Sequence, residues 1–241
     1  MAWQPRALQG PRFAAIADLA ARFPAGRLPT VAELDATLRD RLAPAGLSLV
    51  ESAPAPGRRK GARGRNPDDI YEIHCARTAQ VPCRPDDLHD VFNALSWAAF
   101  PTAKWKLTTR IAQLQLAALA AGRGLPRARD REHDRLALLD EGGVIELRCS
   151  DGALAVVVGH AIWQHAAMAG VAVRAAKVEL PAPADVRRAG ADADQVRAAI
   201  DAGWAELVAH PERLHERMTG RAGVVLEDDA LWCAGLDQSD R

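Results

Sequence analysis

Arg84, His89, Asp90, Asn93, Lys104, Asp140, Glu141 and His160 carry the groups from which a polar reaction centre is built, and His89, Asn93, Lys104, Asp140 and His160 each break the apolar pattern of their own element. Imidazole with carboxylate is a donor set for zinc, iron or manganese, so His89, Asp140 and His160 are the expected ligands of one divalent metal. An ion held by three side chains keeps an open position that activates water, and Asp90 or Glu141 is then the expected general base. Arg84 and Lys104 supply positive charge for a small anionic ligand of the phosphoester kind. Lys104 is read as catalytic, and Arg84 and Asn93 as substrate-binding. The function that follows is metal-dependent hydrolysis.

Every one of these residues also has a plain structural reading. His89 and Asp90 are neighbours, and on a helix they diverge by about 100°, so the pair is weak as a motif on its own. His89 would serve equally as a boundary histidine bonded to a carbonyl, and His160, after Gly159 in an apolar run, as a satisfied core histidine. Asp140-Glu141-Gly142-Gly143 has the composition of a turn. Burying so many donors and acceptors costs a few kcal/mol each unless they meet. That cost predicts convergence of His89, Asn93, Lys104, Asp140 and His160 in one pocket. The alternative from another class is a non-catalytic module in which Arg84, His89, Asn93 and Lys104 grip an anion or a partner's carboxylate. The chain has no nucleophile elbow, phosphate loop, dinucleotide fingerprint or zinc-protease helix.

The elements that must position these groups can be read from periodicity. Asp86 or Asp87 is placed to cap a helix running to Phe100, with Leu88, Phe92, Leu95 and Ala99 as its buried face and His89 and Asn93 at the core's edge. Pro101 ends that helix, Thr102 is the expected cap of a second one reaching Ala121, and Gly122 is its stop. Lys104 falls in the first turn, where the helix dipole disfavours a cation. Residues 47–52, 70–76, 135–139 and 144–149 read as strands of a small antiparallel sheet, the last two joined as a hairpin by residues 140–143. Residues 153–168 are expected to be helical in their second half, 177–183 extended, and 187–218 helical with Val196, Ile200, Trp204 and Leu207 on one face. The fold class is α+β: one mostly helical domain with a mobile basic loop at 54–67 and a peripheral helical tail over 184–241.

At 241 residues, 49% of them hydrophobic and 26% charged, the chain can bury a substantial core. Its 31 basic and 31 acidic residues balance, so net charge does not support a nucleic-acid partner. Arg58, Arg59, Lys60, Arg63 and Arg65 concentrate charge locally, but no aromatic residue lies among them to stack bases. Cys75, Cys83, Cys149 and Cys233 are widely spaced and read as reduced thiols. Charges interrupt the amino-terminal apolar stretch too often for a membrane span, and a cytoplasmic location is expected.

Tyr71-Glu72, Val81-Pro82, Arg84, His89-Asp90, Asn93-Ala94-Leu95, Trp97, Phe100-Pro101, Lys104 and Leu107, followed by Asp134, Leu136, Leu138, Asp140-Glu141 and Gly159-His160-Ala161, form a spaced pattern. Over about Tyr71 to His160 this pattern resembles the bacterial domain-of-unknown-function family 3025. The resemblance implies a soluble bacterial protein and brings no reaction with it. After Leu107 the family pattern has an asparagine and then a histidine, where this chain has Thr108 and Ile111.

Overall fold

Helix formers and turn residues divide the chain into nine α-helices, four short 3-10 turns and six strands among the described residues, which in the computed structural model are 3–52, 67–123, 131–169 and 174–225. Helix α1 (Ala17–Ala20) precedes α2 (Val31–Leu42), where Thr30 and Glu33 form a reciprocal capping box. Strand β1 (Ser48–Glu51), helix α3 (Tyr71–Thr78) and strand β2 (Gln80–Cys83) follow, and then the long pair α4 (Leu88–Ala99) and α5 (Pro101–Ala120). Helix α6 (Arg131–Gly142) runs into β3 (Gly143–Cys149), β4 (Gly152–Val157), α7 (His160–Ala169) and β5 (Arg174–Pro181). Helices α8 (Ala193–Ala209) and α9 (Pro211–Arg217) and strand β6 (Met218–Val225) complete the described chain. The basic loop lies, up to Asn66, outside the described residues. No helix among them is long and apolar enough to cross a membrane.

The α+β class is the observed one, but the sheet differs from expectation. β1 and β2 pair in parallel, and a separate four-stranded sheet has the order β4-β3-β5-β6, with β3 and β5 parallel and the other pairs antiparallel. Two expected strands are helices. Over 70–76, Ile73 and Cys75 are buried two residues apart, a spacing that imitates a strand. The segment coils as α3 because that places Tyr71 against α4 and Glu72 against α5, where each finds a polar partner. Over 135–139, Leu136 and Leu138 alternate, yet Leu138 is exposed while His133, Leu136 and Leu139 are buried, a three-residue period that belongs to α6. The hairpin is therefore β3 with β4, and residues 140–142 form the last turn of α6.

Helix α4 is the centre of the molecule. Asp87 caps it, accepting from the backbone N–H groups of His89 and Asp90, and every residue from Asp90 to Ala99 is buried. Asn93, expected at the core's edge, is inside it, because α2, α5 and α7 all pack on α4. Phe100 ends α4 and Pro101 opens α5, while Gly122 closes α5 at φ +73°. The cap of α5 does not come from Thr102. Asp201 of α8 accepts instead from the N–H groups of Thr102 (3.2 Å) and Ala103 (2.7 Å), and burial raises its carboxyl pKa. Trp204, one turn later, meets Phe100 edge-on with ring centroids 5.9 Å apart.

This long-range cap gives a direct expectation. Asp201→Ala leaves two donors of α5 without their acceptor and should lower stability by about 1 to 2 kcal/mol. Urea denaturation measures it, and an unshifted midpoint would show that the cap contributes nothing.

Candidate metal centre

Three elements bring their ends to one place: the first turn of α4 with His89, the last turn of α6 with Asp140 and Glu141, and the start of α7 with His160. Backbone contact sets their spacing. The N–H groups of Val158 and Gly159 both donate to the carbonyl of Gly143, at 2.9 and 3.0 Å. A side chain at 159 would sit about 2.5 Å from the Glu141 carbonyl oxygen and 2.7 Å from Gly142 N, so glycine alone allows this approach. His160 consequently lies beside Glu141.

His89 and His160 meet edge-on with ring centroids 4.7 Å apart. Their Nε2 atoms stand 3.5 and 3.4 Å from the same oxygen, Oε2 of Glu141. Donor atoms of His89, Glu141 and His160 all lie within 4.8 Å of one another, a grouping that can hold a metal ion. Glu141 is half exposed and His89 partly exposed, whereas His160 is buried. The opposite nitrogen of each ring is also engaged. His89 Nδ1 faces Asp90 Oδ1 at 3.2 Å, and His160 Nδ1 lies 3.0 Å from the main-chain carbonyl of Asp140. A carbonyl only accepts, so His160 carries its proton on Nδ1 and presents a lone pair at Nε2.

Each expected site residue has a definite place. Asp140 is the sequence neighbour of Glu141, but its carboxylate pairs with Lys104, and only its main-chain carbonyl meets an imidazole. It is the Glu141 carboxylate, read as a base, that faces both imidazoles. On the last turn of a helix the two acids point about 100° apart, so only one can face the histidines. Lys104 is 1% exposed, donates to Asn93 Oδ1 at 3.0 Å and lies 5.4 Å from the centroid of the Trp97 ring. Its ammonium escapes the unfavourable α5 terminus by reaching Asp140. Arg84 grips Asp90 through Nε (2.9 Å), Nη2 (2.7 Å) and its own backbone N–H (2.7 Å), and also meets Asp87 at 3.0 Å. Asp87, His89 and Asp90 form a second donor group, but a helix cap and an arginine already occupy its acids.

Tyr71 belongs to this arrangement and had no role in the sequence reading beyond its place in the family pattern. Its hydroxyl accepts from Asn93 Nδ2 at 2.9 Å and Trp97 Nε1 at 3.1 Å. It is the chain's single tyrosine, which was the one signal available. Burial raises its pKa well above the ordinary value, and burial likewise pushes the Cys75 thiol beneath it up to about 12.

The two histidines are electrostatic opposites. Hydrogen bonds to Asp90 and then to Glu141 raise His89 to about 9, while burial lowers His160 to about 4. The His89 contact is in turn the largest influence holding Glu141 below the usual carboxylate range. Burial alone would raise Asp90, but the bonds from Arg84 and His89 outweigh it and hold the carboxyl well below its ordinary value. At neutral pH the metal-free site therefore holds His89 as imidazolium, Glu141 as carboxylate and His160 neutral.

Two outcomes are expected. Gly159→Ala should separate α7 from the α6 terminus and lower the melting temperature; an unchanged melting temperature would show that the close approach does not hold the two elements together. The pH dependence is two-sided. The raised His89 contributes stability that is complete below 6.5 and lost as pH rises through about 9. The depressed His160 contributes stability present above 6.5 and lost as pH falls towards about 4. Denaturation of metal-free protein should show His89→Gln flattening the alkaline limb and His160→Gln the acid limb, and identical limbs in all three proteins would contradict the assignment.

Comparison with known proteins agrees with the pattern of the signature. No curated protein and no solved structure matches the chain. Residues 61–169 match the model of the family described as protein of unknown function (DUF3025), so the chain resembles that family over the span that holds Arg84, His89, Asp90, Asn93, Lys104, Asp140, Glu141 and His160.

Proposed function

We propose that His89, Glu141 and His160 bind one divalent transition metal, and that the chain uses it to hydrolyse an anionic substrate of the phosphoester class. The observation that carries this reading is the pair of contacts from one Glu141 oxygen to both Nε2 atoms, 3.5 and 3.4 Å. Ligand bonds near 2.1 Å at tetrahedral angles separate donor atoms by roughly 3.4 Å. The neutral His160 also points a lone pair at a carboxylate oxygen, a contact that a cation between them turns from repulsive to favourable. Two imidazoles and one carboxylate suit zinc, iron or manganese and fit calcium or magnesium poorly.

The exposed Glu141 leaves one side of the group open to solvent, as a catalytic rather than a structural centre requires. A metal in such a position lowers the pKa of bound water and polarises an ester oxygen. The protein side supplies positioning more than proton transfer. Asp90 is held too far below neutrality by Arg84 to be an effective base, and Glu141 is engaged as a donor. The competing anion-binding module has less support, because Lys104 and Arg84 each already carry an acid partner.

Calorimetric titration of chelator-treated full-length protein with zinc, iron(II) and manganese(II) tests the centre. Binding of about one equivalent is expected, absent in His160→Ala and Glu141→Ala, with proton release near pH 7.5 as His89 loses its proton. No binding of any of the three overturns the metal reading. Metal-bound protein that fails to hydrolyse bis(p-nitrophenyl) phosphate and p-nitrophenyl phosphate overturns the hydrolase.

A further inference from the structure

Resting on the metal reading, we propose that Arg84 and Lys104 are positioning residues at the heads of two separate relays, each of which aims one histidine Nε2 at the shared centre. In the first, Arg84 clamps both oxygens of Asp90, and Oδ1 of that carboxylate holds His89 Nδ1. The backbone N–H of Arg84 adds a third bond to the same carboxylate, so Asp90 has no freedom to turn. In the second, Tyr71 fixes the Asn93 amide, whose oxygen accepts from Lys104. Lys104 pairs with the Asp140 carboxylate, and the Asp140 main-chain carbonyl holds His160 Nδ1.

The chemistry of imidazole explains the arrangement. A neutral histidine exchanges between two tautomers and rotates about its ring bond, and only one state directs the Nε2 lone pair at a metal. An acceptor at Nδ1 selects that state and fixes the ring plane. Lys104 suits no other task, because Asn93, Asp140 and the Trp97 face surround its ammonium and leave it 1% exposed, out of a ligand's reach. Arg84 is more exposed, but its bonds to Asp90 and Asp87 use its Nε and Nη2 groups.

The relays differ at their last link, which ranks the variants. Asp90 touches its histidine through a side chain that substitution removes, whereas Asp140 touches His160 through main chain that substitution only shifts. Cobalt(II) titration of the full chain reads both affinity and geometry, since the intensity of the visible absorption reports four-coordinate binding. Asp90→Ala should weaken cobalt binding about 10- to 100-fold and alter the band. Asp90→Asn, which keeps an acceptor for Nδ1, should recover part of that loss, and Arg84→Lys should fall between wild type and Asp90→Ala. Lys104→Met, read where it folds, should reduce the band through His160. If wild-type protein binds no cobalt, the metal centre itself fails. If wild type binds and the two Asp90 variants bind with its affinity and spectrum, the first relay fails while the centre stands; if folded Lys104→Met does the same, the second relay fails.

Discussion

Lys104 is a cation taken out of water, and the helices around it are arranged by what that costs. An ammonium in a protein interior is tolerated only with a counter-charge and with its donors used. Here the counter-charge is Asp140, at the carboxyl-terminal turn of α6, where the helix dipole also favours a cation. Asn93 supplies the neutral acceptor from α4, and Trp97 lies one turn further along the same helix. One side chain of α5 therefore draws α4 and α6 to a common point, and Tyr71 joins α3 to it through Asn93 and Trp97. Removing the charge alone would strand Asp140 in a largely buried position, so the pair specifies the packing more than it adds net stability.

The centre stands at the solvent end of that buried network. Proceeding outward, the groups run from Cys75, whose burial keeps its thiol protonated, and Lys104 to His160, His89 and the exposed Glu141. Polarity grows with access to water, and the two histidines fall on either side of the boundary. That difference in burial, acting with Asp90, makes one a cation and the other neutral at the same pH. An ion bound by both, as proposed, would displace a proton from the first and need none removed from the second.

The helix pair α4 and α5 was legible because its signals are local: Asp87 as cap, Pro101 at the junction and Gly122 at the end. The errors came where burial at every second residue stood for a strand although tertiary partners chose a helix, at 71–78 and 131–142. The second error spread into chemistry. A hairpin tip leaves the directions of Asp140 and Glu141 undefined, whereas a helix end sets them about 100° apart and decides which acid faces the histidines. The convergence of polar groups could be argued from desolvation alone, but their division of roles could not. Nothing local to Thr102 reveals that the cap of α5 is supplied from ninety-odd residues further along the chain, by Asp201.

That distant cap bears on what the matched span can do by itself. The turn of α5 that carries Lys104 begins with the N–H groups of Thr102 and Ala103, and both end on Asp201, outside residues 61–169. The same helix α8 buries Arg197, which bonds Asp18 of α1 through Nη1 (2.7 Å) and Nη2 (2.8 Å) and meets Asp194 at 2.8 Å. Arg197 also donates to the carbonyl of Ala15, so segments on both sides of the matched span are tied together across it. The candidate donor residues sit in the signature, but the helix terminus that carries Lys104 is completed from α8. Position of the buried ammonium, and through Asp140 the aim of His160, thus depends on residues that a motif confined to the signature does not contain.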